Sequence, residues 1–399
     1  MTILKSQYEK DLYPEVASAI DQAGDNDFAR DCIEIAATKL ARGEIGRRGF
    51  LAAIGAMGAL AATGPWSKAF AQAEELVVVN WGGPAVEAYQ KAWGEPFTEE
   101  TGIEVIIDGT GPLLSKIRAM VESGAVTWDV CDTGAGTTLV LQKANVLEPI
   151  DYSIVDKAKI VQDYAYEYGA ANYLFSFILA YNKARLDSEP QNWVDFWDTA
   201  KFPGGRTLRQ QPNGMLEAAM FAAGRSKEEI YPIDMDLARE KFAEIRDDVI
   251  VWGSGSESQQ LFRNGEVVMG NIWHTRANLL NQDMRGDVVW TWNDGIVTAG
   301  MWNVPKGNPA GTEAAMKFIA SSQDPEQQVE LFKMMGNGPA NPAAAPLVPE
   351  DMRYIDPGQP ENFAKQIKQD ARWYEADSGV GDLTNDALSR EMYLDVMSG

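Results

Sequence analysis

Groups that break or make bonds are scarce in this chain. One histidine, His274, and two cysteines, Cys32 and Cys131, are too few for the common zinc sites or a Cys–His nucleophilic pair. No Gly-x-x-x-x-Gly-Lys-Ser/Thr phosphate loop occurs, and Gly134-Ala135-Gly136 lacks the third glycine of the dinucleotide fingerprint. His274, beside Trp273, reads as a hydrogen-bonded pocket or surface histidine. Cys131, in Trp128-Asp129-Val130-Cys131, reads as a buried strand thiol. The expectation is no catalytic residue, no metal and no cofactor. Binding chemistry is better represented. The chain has 12 tryptophans, whose faces attract cations, and Arg276 follows Trp273 by three residues. On a helix the two would share a face. Arg209 ends the apolar run Thr207-Leu208-Arg209. A guanidinium aimed into a cleft favours a carboxylate through two parallel hydrogen bonds.

The elements that would position these groups alternate. Leu76–Asn80 reads as a strand and Pro84–Thr101 as a helix, with Pro84 in its first turn and Gly102 as its stop. Ile103–Ile107 (strand), Pro112–Ser123 (helix) and Trp128–Cys131 (strand) follow. Such alternation predicts parallel pairing with helices on the faces, and ligands beyond the carboxyl ends of the strands. Those ends are Asn80-Trp81-Gly82-Gly83 and Asp132-Thr133-Gly134-Ala135-Gly136. Tyr173–Tyr181 and Gly295–Pro305 are candidate strands crossing between two lobes. Between them a second α/β segment comprises 192–199, 208–211, 237–247 and 259–270. Asn341–Pro349 reads as a Pro/Ala loop. Trp93, Trp128, Trp193 and Trp197 are assigned to core packing.

The first seventy residues read as an address. Arg47-Arg48 precede a short Gly/Ala-rich apolar run, 52–62, and then Ala71-Gln72-Ala73. That order is the signature of a twin-arginine export signal, cleaved near Ala73. The run is too short for a membrane span. Some 46 residues precede the arginine pair, with an amphipathic helical segment over Tyr13–Leu40. The formal charge is −23, and after Ala73 the chain carries 27 Lys+Arg against 49 Asp+Glu. This excess argues against nucleic acid and anionic lipid as partners.

The order of motifs beyond the signal resembles the substrate-binding components of spermidine/putrescine-type ABC importers. The matching stretches are Val79-Asn80-Trp81, Glu100–Val105, Trp128-Asp129-Val130, Asn192–Trp197, Asn264–Val267, Met269–Trp273, Val304–Gly307, Asp324–Met334 and Gly338–Pro342. The resemblance implies an α/β, type II periplasmic binding fold, with two lobes joined by crossing strands around a ligand cleft. The expected division is 1–73 signal and extension, 74–175 with 301–335 as one lobe, and 176–300 with 336–399 as the other. Trp81 and Trp273 fall on the family's aromatic pocket positions. The expected lining is Trp81, Gly82, Asp132, Thr133, Gln210, Gln211, Trp252, Trp273, Arg276, Thr298 and Trp302. The family's ammonium-binding carboxylates fall near Gln210–Gly214 and at Gly300, where this chain has none, and Thr298 replaces an aromatic. A zwitterion, its ammonium in an aromatic cage and its carboxylate on arginine, suits these substitutions better than a long polyamine. The expected protein is a periplasmic monomer that delivers a small organic cation or zwitterion to a membrane permease. An exported enzyme and a sugar binder are the alternatives.

Overall fold

The computed structural model describes residues 74–161 and 163–398. The arginine pair, the apolar run and the expected helix over Tyr13–Leu40 lie outside the described residues.

The chain opens with β1 (Glu75–Val79) and the helix Pro84–Tyr89, which continues through a π-helical turn, Gln90–Gly94, into Glu95–Thr101. Pro84 occupies the first turn, where no backbone donor is needed. Gly102 ends the helix at φ 76°, a conformation that costs a side-chain-bearing residue. Next come β2 (Glu104–Asp108), the helix Leu114–Ser123 stopped by Gly124, β3 (Val130–Gly134) and the helix Ala135–Lys143. Two short strands, β4 (Leu147–Glu148) and β5 (Ala165–Tyr166), precede the long β6 (Gly169–Asn182). The second α/β segment holds β7 (Arg206–Arg209), β8 (Val249–Trp252) and β9 (Met269–Trp273). Its helices include Met215–Ala222, Met235–Ile245 and Gly255–Arg263. After the helix His274–Asp283 comes β10 (Val288–Pro305), then helices Thr312–Ser321 and Pro325–Met335. The chain finishes with β11 (Gly338–Pro339), β12 (Ile367–Lys368), and helices Ala371–Glu375 and Asn385–Ser398. The segment expected as a loop over Asn341–Pro349 instead contains a 3-10 helix, Pro342–Leu347, because the Asn341 side chain accepts the Ala343 N–H and starts the turn.

One mixed sheet results, in the order β2-β1-β3-β10-β6-β9-β7-β8. Its wings, β2-β1-β3 and β7 with β8 and β9, are parallel, as alternation predicts. The centre differs: β10 runs antiparallel to both β3 and β6, and β6 antiparallel to β9. Both central strands are longer than expected, β10 beginning seven residues before Gly295. The β6–β10 register breaks between Thr291 and Ile296 and again between Gly300 and Met301.

Core membership changes partway along this pair. Ala170 to Leu174 and Val297 to Val304 pack into one core with Trp93, Phe97 and Phe318. Phe177 to Tyr181 and Val288 to Ile296 pack with Trp193, Phe196, Trp252 and Phe242 in others. Phe175, at the change, is the one residue of β6 that is partly exposed. Trp93 packs edge-on to Trp302 at 5.1 Å and to Tyr89 at 4.7 Å, so each core is anchored by large aromatics worth about 1.5–3 kcal/mol apiece on burial.

Candidate functional site

Two arginines from different elements meet one aromatic wall. β7 carries arginines at 206 and 209, whose surroundings are opposite. Arg206 is fully buried and donates to the carbonyls of Phe196, Gly204, Asp198 and Phe202, a structural role. Arg209, at the strand's carboxyl end, has aromatic faces instead. Its guanidinium lies 5.4 Å from the Trp273 ring centre, 5.7 Å from Phe177 and 5.9 Å from Trp252. Loss of water pulls its pKa down to about 10, with the Arg390 charge adding to the effect, so it stays cationic at neutral pH. Arg276 comes from the first turn of the helix His274–Asp283. A methyl group at Gly255 would stand 2.5 Å from Arg276 Nε and 3.1 Å from Trp273 Cζ3, so glycine there admits both side chains. Desolvation also lowers the Arg276 pKa. Among the described residues no carboxylate pairs with either arginine. Trp273 ends β9 and caps the following helix rather than lying on it, yet it converges with Arg276 at Gly255. Its indole N–H is buried without a partner, as is Ser176 Oγ on β6.

The parallel wing β2-β1-β3 supplies a second group. Trp81, just past β1, is 57% exposed. The loop beneath it is held by close backbone contact: Gly82 has φ 72°, and a Cβ there would lie 2.5 Å from the Gly109 carbonyl oxygen. The Gly82 N–H donates to Asn80 Oδ1 (2.9 Å), whereas Asn80 Nδ2 is buried without a partner. Asp132 is fully buried and accepts from Tyr89 Oη (2.7 Å), Asn172 Nδ2 (2.9 Å) and Tyr173 Oη (3.2 Å). Burial raises its pKa to about 7 against those three donors. Thr133 is buried as well and donates to Asn303 Oδ1.

The expected lining therefore separates. Trp273 and Arg276 are brought together, with Arg209 and Phe177 beside them. Trp252 backs this wall, but it is fully buried and its N–H is bonded to the Asn271 carbonyl (2.9 Å). Gln210 and Gln211 follow β7 as exposed residues. Thr298 is nearly buried opposite Phe175 in the β6–β10 ladder. Trp302 lies in the core, its N–H on Ser322 Oγ (2.9 Å), because it faces Asp132 across the ladder on the core side. His274 is buried: Nδ1 accepts the Ser176 N–H, Nε2 donates to the Gly336 carbonyl, and burial lowers its pKa to about 4. Cys131 is a buried thiol. Concavities of about 690 Å³, by Pro232, Trp373 and Met392, and about 580 Å³, by Glu74, Thr127 and Pro309, include none of the expected lining. Among the described residues there is no cluster of three or more metal-ligating side chains, and no helix long and apolar enough to cross a membrane.

Residues 92–354 match the family model of bacterial extracellular solute-binding proteins. A gamma-aminobutyric acid-binding protein of Pseudomonas aeruginosa is 29% identical over 311 residues, 76% of this chain and 88% of its own. A putrescine-binding periplasmic protein of the same species is 26% identical over 297 residues, 66% of this chain and 78% of its own. The solved GABA receptor Atu4243 is 34% identical with a TM-score of 0.70, covering 75% of this chain and 92% of that one. The fold is the two-lobed periplasmic binding type.

Proposed function

The chain belongs to the family of bacterial extracellular solute-binding proteins, and we propose that its solute is a small amino-acid-like molecule gripped by its carboxylate. Proteins of this family bind small ligands and pass them to ABC permeases; they are transport components rather than enzymes. One observation carries the ligand reading: Arg209 and Arg276 flank Trp273 with no acidic partner. Two uncompensated cations repel a polyamine and attract a carboxylate, and a desolvated charge-assisted hydrogen bond contributes roughly 1.5–3 kcal/mol. Relatives that bind gamma-aminobutyric acid support this ligand class; the putrescine-binding relative represents the competing one.

The ligand would sit between this wall and Trp81, the exposed indole on the opposite wing, which offers its face to an ammonium. Capture would close the two halves about the crossing strands near Phe175 and Ile296–Val297, where core membership changes. The closed form would dock on the permease as a monomer.

Titration calorimetry with 4-aminobutanoate and putrescine tests the ligand reading. Wild type should bind 4-aminobutanoate, and Arg276→Ala should weaken it by roughly 2–3 kcal/mol. Tight putrescine binding that ignores the loss of Arg276 would refute the carboxylate grip. Export is proposed to follow the twin-arginine route, read from Arg47-Arg48. Replacing both with Lys should leave the precursor in the cytoplasm; normal periplasmic release of that variant would sink the assignment.

A further inference from the structure

The carboxylate reading above needs one arginine, and the wall has two. Each approaches Trp273 from its own direction. Arg209 comes off the end of β7 and lies over the rings of Trp273, Phe177 and Trp252; Arg276 comes off the next helix and meets the Cζ3 side of the indole at Gly255. Contrast with Arg206 shows what this fold does with a merely structural arginine, since its guanidinium is bonded to four backbone carbonyls. Arg209 and Arg276 have no such acceptors among the described residues, and no carboxylate neutralises either one. Both side chains are only partly buried, so solvent reaches them in the free protein, and an anionic group that displaces this solvent can form charge-assisted hydrogen bonds with them. Gln210 and Gln211, which directly follow Arg209, are neutral and supply no compensating charge.

Resting on the proposed solute-binding role, we infer that the preferred ligand is a short aliphatic compound with two anionic groups, Arg276 taking one and Arg209 the other. Because both arginines approach the same indole, the carbon chain joining the two anionic groups would be short and would lie against Trp273.

A ladder of four related probes tests this on the intact mature protein. Putrescine has no carboxylate and 4-aminobutanoate has one; glutamate is 4-aminobutanoate with a second, and glutarate has two and no ammonium. Calorimetric titration should rank glutamate or glutarate at least about tenfold tighter than 4-aminobutanoate, with putrescine weakest. In Arg209→Gln the ratio of dicarboxylate to 4-aminobutanoate affinity should collapse to about one, and Arg209→Lys should keep part of it. A thermal melt of each variant checks folding.

Three outcomes overturn the inference. The first is wild-type binding of 4-aminobutanoate at least as tight as that of both dicarboxylates; the second is a ratio in Arg209→Gln unchanged from wild type. The latter would mean that both arginines clamp a single carboxylate. Binding of none of the four would overturn the carboxylate-ligand reading on which the inference rests, whereas the first two results leave that reading standing.

Discussion

Gly255 sets where Arg276 can be. Its backbone has an ordinary φ, so a side chain there is not strained by conformation but by the approach of Arg276 Nε at 2.5 Å, the far end of a flexible side chain, and less tightly by Trp273 Cζ3 at 3.1 Å. Gly255→Ala should therefore fold with little loss of stability while pushing the guanidinium off the Trp273 edge. Affinity for 4-aminobutanoate should fall by about tenfold, or 1.4 kcal/mol, with the melting temperature nearly unchanged; undiminished affinity would place Arg276 outside the grip. Asp132 makes a different kind of claim. Its folded pKa of about 7 lies well above that of an ordinary aspartate, so the folded state holds the proton more tightly. The stability it contributes is complete below about pH 4 and drains away as pH climbs through 7. Asp132→Asn removes that slope, which amounts to roughly a few kcal/mol for a fully buried carboxyl. Melts from pH 4 to 8 should show wild type losing ground against the variant as pH rises, and parallel curves would contradict the assignment.

At the scale of elements, Gly214 joins the helix Met215–Ala222 to the aromatic wall. It caps that helix at φ 84°, and a methyl group on it would stand 2.6 Å from Phe177 Cγ, a ring under Arg209. All eight residues of the helix are buried, and Glu217 Oε2 accepts the Gly214 N–H (3.0 Å), so neither partner can retreat freely. Gly214→Ala should cost roughly 2–4 kcal/mol from left-handed strain and overpacking, measurable by urea denaturation; a loss below about 0.5 kcal/mol would show that the ring yields. Elements were legible in the sequence where local rules apply. Pro84 and Gly102 bounded their helix, and the strand–turn–helix order located β1 and β2 to within one residue and β3 to within three. Arg209 was visible as the end of a strand, but its cage was not, because Phe177, Trp252 and Trp273 arrive on three other strands. Nor could alternation assign faces in β6, where every residue but Phe175 is buried and period two vanishes. Trp302 was expected in the lining for the same reason: β10 is buried along its second half, so nothing local told core side from cleft side.

The whole molecule passes between its two largest cores more than twice. Besides β6 and β10, the C-terminal segment does so: Ala371 packs in the core of Trp93 and Tyr374 in that of Trp193, on one short helix. Nearby, Lys368 pairs with Asp163 (2.6 Å) and Lys143 with Glu375 (3.1 Å). These pairs are largely exposed on the lysine side, and such contacts contribute only about 0.2–1 kcal/mol each. They can break and re-form without opposing a rigid-body rotation. The β6–β10 ladder is also interrupted between Thr291 and Ile296 and between Gly300 and Met301, and a broken register lets a strand pair bend. Bending there would move the wing bearing Trp81 toward the wall of Arg209 and Arg276 while leaving each core intact. A compact chain of roughly 330 residues has a radius of gyration of about 20 Å. Small-angle scattering of the mature protein should give a larger value without ligand, falling toward this one at saturation. Saturation is established independently by calorimetry on the same sample. An identical profile with and without bound ligand would show that capture proceeds without closure, and would remove the hinge from this mechanism.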